Sequence, residues 1–183
     1  MRTLVVGLGN PILGDDAVGL RLARDFVRRR SARPASAPPL GDRWPAEGAL
    51  HRGDDAVDVI EDCPAYGLDV LELLAGYDRL VLFDAMVTGQ ATPGSWRRFT
   101  ATALQPTRHL RSLHDANLAT ALELGRRLGL GLPPDHEVHV FAVEIDDPDT
   151  FSSTLSPCLE AAYPDLAFEI MRDVEELLSA SSS

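Results

Sequence analysis

Thr3-Leu4-Val5-Val6-Gly7-Leu8-Gly9-Asn10-Pro11-Ile12-Leu13-Gly14-Asp15-Asp16-Ala17-Val18-Gly19, near the start of the chain, decides how the rest is read. Thr3 to Val6 is a short apolar run stopped by glycine, the pattern of a strand buried on both faces. Gly7 to Pro11 cannot extend it as regular structure. A helix is expected from about residue 15 to 30, with Asp15 as N-cap and Val18, Leu22 and Phe26 four apart on one face.

Strand-like and helix-like segments alternate further along. Strands are expected at 57–60, 79–86, 94–100 and 137–145. In the second of these, Leu80-Val81-Leu82-Phe83 leads to Asp84. Helices are expected at 67–75, 116–128 and 157–178, the last kinked at Pro164. Residues 31–55 are rich in Pro, Ala, Ser and Gly and read as a flexible insertion; the serine-rich tail at 179–183 should fray. The alternation implies one α/β domain over 1–183, a mainly parallel twisted sheet in a three-layer sandwich with helices on both faces. In such sheets ligands sit outside the strands' carboxyl ends. Four segments therefore matter: Gly7 to Asp16, the turn after Ile60, Asp84 to Gly89, and the residues after Val143.

Composition removes several chemistries. The 183 residues carry 17 basic side chains, all arginine, against 28 acids, for a net charge of -11. Without lysine there is no phosphate-gripping P-loop lysine, no Schiff base and no Ser-Lys dyad. The acidic balance argues against nucleic acid. Cys63 and Cys158 are too few for a disulfide framework and suit a reducing compartment, so the cytoplasm is expected. No run approaches 18 apolar residues, so no membrane partner is expected, and a monomer is the expected state.

The first loop has the wrong spacing for a dinucleotide fingerprint, with glycine at 14 instead of 12. Two carboxylates at a helix start would repel a phosphate. One acid suffices as a cap, which leaves the second for other work. Asp84, after four large apolar residues, needs a partner or a solvated crevice. Among the histidines, His51 lies in the insertion and His136 before a strand, while His139 lies within one and reads as a satisfied structural imidazole. His109 and His114 fall in the polar segment before a helix. Asp16, Asp84 and His114 each sit on a connection that can reach the same sheet end, and two carboxylates with one imidazole make an incomplete shell for a borderline divalent metal.

Other nucleophiles fit less well. Neither cysteine has a histidine beside it in sequence to activate a thiolate. Ser156 before Pro157 reads as a helix start, and there is no Gly-x-Ser-x-Gly elbow. Arg108, His109 and Arg111 could steer an acidic protein partner or simply be solvated.

The series Gly7-x-Gly9-Asn10-x-x-x-x-Asp15-Asp16-x-x-Gly19, Asp84-Ala85, Ser112-x-His114 and Leu155-Ser156-Pro157 closely resembles the nickel-iron hydrogenase maturation endopeptidases. The resemblance covers nearly the whole chain in order, apart from 31–55, and Glu144 at a strand end fits it too. It implies a phosphorylase/hydrolase-like fold and a peptidase that removes a short C-terminal peptide from the hydrogenase large-subunit precursor after nickel insertion. It also implies that Asp16, Asp84 and His114 are the metal-contacting and catalytic set. The nickel would be the substrate's own; a resident metal, or an aspartate acting as general base without one, stays open. Ala17 replaces a glycine of many members, and Cys63-Pro64-Ala65 occupies a turn that is glycine-rich in several. A ligand-binding module without peptidase activity, for a nucleotide or another ligand, and a peptidase with another protein target are the alternatives.

Overall fold

The computed structural model describes residues 1–31, 50–52, 56–61, 71, 74–103 and 113–180, with the backbone alone for 31, 50–52 and 113–119. Strands β1 (Thr3–Gly7), β2 (Leu50–Arg52), β3 (Val57–Ile60), β4 (Arg79–Met86), β5 (Trp96–Thr100) and β6 (Val138–Glu144) form one sheet in the order β2-β3-β1-β4-β6-β5. The inner four are parallel; β2 and β5 run antiparallel at the edges. Helices α1 (Val18–Ser31), α2 (Leu113–Arg127) and α3 (Pro157–Ser179) complete the described elements.

Because side chains alternate along a strand, each inner strand feeds two cores. Val5, Val59, Val81, Phe83 and Phe141 pack with Val18, Leu22 and Phe26 of α1 and with Leu159, Leu166 and Ile170 of α3. Leu4, Val6, Leu80, Leu82 and Val140 pack on the opposite face with Leu74 and with Leu122 of α2. The result is the three-layer sandwich expected from the alternation. Phe83 lies edge-on to both Phe26 and Phe141, at centroid separations of 6.4 and 6.0 Å, joining α1 to the sheet with about 1 kcal/mol per aromatic pair beyond area burial.

The chain passes from β1 through α1 to β3 on one side of β1, then returns to β4 on the other. The strand order thus reverses between β1 and β4, and such a switch point is where sheets of this kind leave a crevice at the carboxyl ends.

Three local expectations need adjustment. Within the expected insertion, Leu50–Arg52 pairs antiparallel with β3, with Leu50 opposite Ile60. The start of α1 also differs: a 3-10 turn, Gly14–Ala17, precedes α1, with Leu13 and not Asp15 as its N-cap. Finally, α3 continues across Pro164 to Ser179, into the expected tail. Of the helix expected at 67–75, Leu71 and Leu74 are described, both helical and buried.

Candidate active site

The first loop closes tightly on itself. Leu8 N donates to Phe83 O at 2.8 Å, prolonging the β1–β4 pairing past the end of β1. Gly9 then turns with φ +139°, and a Cβ there would strike the carbonyl oxygen of Asp16. Gly19 is equally constrained, since a Cβ would strike Leu8 O and Phe83 O. These contacts press the start of α1 against β1 and β4.

Asp16 and Asp15 do different work. The Asp16 carboxylate accepts Asn10 N at 2.6 Å, and its own N–H donates to Leu13 O at 2.8 Å, so it is tied to both limbs of the loop. Asp15, 5% exposed, turns away from the helix it was expected to cap and accepts Ser156 N at 2.6 Å from the far end of the chain. A parallel bridge between Leu13 and Ser152 secures the same junction, with Gly14 N bonded to Ser152 O at 3.0 Å. Ser156 is the N-cap of α3, accepting Leu159 N at 3.3 Å ahead of Pro157. The Leu155-Ser156-Pro157 motif is thus a helix start latched to the first loop.

Asp84 lies within β4, which runs on to Met86, in register with Ala142 of β6. It is 1% exposed, and its Oδ1 accepts Ala85 N at 2.9 Å. By alternation it shares the face of Leu82 and Met86, the side covered by α2. Asp16 thus lies in the turn that follows β1, and Asp84 lies two residues before the end of the neighbouring β4.

His114 is the second residue of α2, and its side chain lies outside the described residues. The helix can still be oriented. Near its last turn, Arg126 donates to Pro133 O at 3.3 Å and to Asp135 Oδ1 at 2.5 Å, in the segment leading into the amino end of β6. At about 1.5 Å per residue, a helix of this length rises about 20 Å back along the sheet. Leu122, in the middle of this helix, packs in the core on the face that carries Leu82 and Met86. Among the described residues no three His, Cys, Asp or Glu side chains form a metal-binding group, a search that does not include the His114 side chain.

Glu144 completes this end of the sheet. It is 1% exposed, and its carboxylate accepts Thr88 N, Thr88 Oγ1 and Gly89 N at 2.8, 2.8 and 2.9 Å. The sequence carried a signal for it, a charge directly after the apolar run Val140 to Val143. Cys158 is exposed; Cys63, Arg108, His109 and Arg111 lie outside the described residues. A separate cleft between the start of β5 and α3, where Trp96 Nε1 donates to Glu169 at 2.9 Å, is away from the β1–β4 crevice.

Two perturbed titrations lie at the opposite end of the sheet. His139, expected to be satisfied, is buried with neither ring nitrogen hydrogen-bonded among the described residues. Burial, then the charges of Arg98 and Arg79, push its pKa down to about 4. Burial opposes ionisation of Glu137, but the bond and charge of Arg79 hold its carboxyl below the ordinary range.

No protein-family model matches the chain, and no curated protein matches it. Solved structures do. The hydrogenase maturating endopeptidase HybD from E. coli superimposes with a TM-score of 0.66 at 22% identity, covering 96% of this chain and 93% of that one. The fold is that of the hydrogenase maturation endopeptidases. The [NiFe] hydrogenase maturation protease HybD from Thermococcus kodakarensis gives a TM-score of 0.61 at 21% identity over 95% of this chain and 99% of that one. HycI, a second such protease from the same organism, gives 0.59 at 18% identity over 93% and 90%. Among the described residues, no helix is long and apolar enough to cross a membrane.

Proposed function

We propose that this protein is an endopeptidase that removes a C-terminal peptide from the nickel-loaded large subunit of a nickel-iron hydrogenase. The observation that carries the reading is the reversal of strand order between β1 and β4, the strands next to which and on which Asp16 and Asp84 lie, in a fold shared with a hydrogenase maturating endopeptidase. Asp16, Asp84 and His114 engage the nickel held by the substrate, with the C-terminal segment lying along the crevice. Two carboxylates and an imidazole suit a borderline divalent ion and leave positions for the substrate's own ligands. One aspartate is then available to take a proton from the attacking water, in an aspartic-type reaction. A difference of about 3 kcal/mol in binding between nickel-loaded and empty precursor gives discrimination on the order of 100-fold. The cysteine usage suits a reaction in the cytoplasm, by one α/β domain acting without nucleic acid.

A nucleotide-binding reading is disfavoured by the first loop's own hydrogen bonds. The amides of Leu8, Asn10, Ile12, Leu13, Gly14 and Asp16 are all donated within the protein. A phosphate cradle needs such amides free to point at the ligand. The test is to incubate the protein with nickel-loaded and nickel-free large-subunit precursor and weigh the products. Loss of a C-terminal peptide from the nickel-loaded form alone is expected; intact mass in both would overturn the reading.

A further inference from the structure

Asp84 belongs to a strand whose exit is held by a residue of the next strand. β4 ends at Met86, which is in register with Glu144, and the chain then turns through Thr88 and Gly89, the latter at φ +65°. Successive amides in such a turn point the same way and form a small concavity suited to an anion. Here the anion is internal, because the buried Glu144 carboxylate accepts both amides and the Thr88 hydroxyl. The backbone of Glu144 also fixes the start of β5, donating to Ser95 O at 2.8 Å and accepting Gly94 N at 2.9 Å. One residue thus joins the exit of β4, the end of β6 and the approach to β5.

We propose that Glu144 is a positioning residue for the candidate active site, holding the Thr88–Gly89 turn so that Asp84 presents its carboxylate correctly at the crevice. This rests on the peptidase reading above, while its structural half can be measured without any cleavage. Glutamine should substitute well: its carbonyl oxygen can accept both amides, and its NH2 can donate to Thr88 Oγ1 while that hydroxyl donates to the carbonyl oxygen. Alanine leaves the amides of Thr88 and Gly89 without an acceptor.

The experiment compares the full-length protein with Glu144→Gln and Glu144→Ala, by amide exchange and by cleavage of nickel-loaded precursor. In Glu144→Ala, Thr88 and Gly89 should lose protection and the Ala85 amide, which reports on Asp84 Oδ1, should shift. Its kcat should fall about 100-fold with KM little changed, as expected for a misplaced reacting group. Glu144→Gln should keep the wild-type amide pattern and most of the activity, and added formate should partly restore Glu144→Ala by refilling the concavity. If Glu144→Ala does not fold, Thr88→Val removes one of the bonds and should move the same signals less. An unmoved Ala85 amide in the alanine variant, or in Thr88→Val when only that variant folds, would overturn the proposal, as would a Glu144→Gln as inactive as the alanine variant. Failure of the wild-type protein to cleave any precursor would instead sink the peptidase reading, with the Ala85 signal still deciding the positioning claim.

Discussion

The two ends of the sheet hold their acids by different means. At the carboxyl end backbone amides donate: Asn10 N to Asp16, Ser156 N to Asp15, Ala85 N to Asp84, and Thr88 and Gly89 amides to Glu144. At the amino end the donors include arginine. Arg79 Nε bonds Glu137 at 2.6 Å while its Nη1 bonds Leu177 O at 2.9 Å, and Arg2 joins Tyr77 on Asp58. Ion pairing fixes an acid and neutralises it, whereas a backbone amide fixes its orientation and leaves its charge in place. On this division the arginine pairs of the amino end contribute to stability, and the amides of the carboxyl end orient the acids there.

The division can be broken at several points. Arg79→Ala should have the largest effect on stability, about 3 kcal/mol, because it strands Glu137 and the Leu177 carbonyl; chemical denaturation measures it, and cleavage by the folded fraction should be unchanged. Acid should act at the same end. His139 is neutral in the fold and takes up a proton more readily when unfolded, so protons favour unfolding. Its contribution is present above about pH 6.5 and drains as pH falls towards 4, about 3 kcal/mol in all, visible as a steeper loss of stability than in His139→Leu.

At the other end, Asp15→Ala should cost about 1.5 kcal/mol, since it leaves Ser156 N without its acceptor, and should loosen the first loop. Cleavage should fall with it, in contrast to Arg79→Ala. The smallest effect is expected from His139→Leu at pH 7. Removing an imidazole without hydrogen bonds should change stability by less than about 1 kcal/mol, as read from the thermal midpoint.

Much of the fold was legible because burial writes itself into local pattern. Val57–Ile60 was expected and found with the same bounds, and Leu80 to Phe83 marked β4 by apolar content alone. Ser156-Pro157 signalled the start of α3 through ordinary capping chemistry. What escaped depends on partners distant in sequence. Asp15 looked like a local cap, yet its hydrogen bond reaches 141 residues along the chain. β2 has three residues and no pattern of its own; antiparallel pairing with β3 makes it a strand. The candidate site divides in the same way. Asp16 and Asp84 were identified by residue type and position, whereas the tether from Glu144 to Thr88 and Gly89 arises only from the β4–β6 register. His114 was placed before a helix and is the second residue of α2.

The central claim is that the acids at the β1–β4 crevice and the histidine at the start of α2 carry out the cleavage. It is tested most directly by the mass of nickel-loaded large-subunit precursor after incubation with wild-type protein, Asp16→Asn, Asp84→Asn and His114→Ala, each confirmed folded by circular dichroism. Only the wild-type protein should release the C-terminal peptide; processing by all three variants at the wild-type rate would contradict the account.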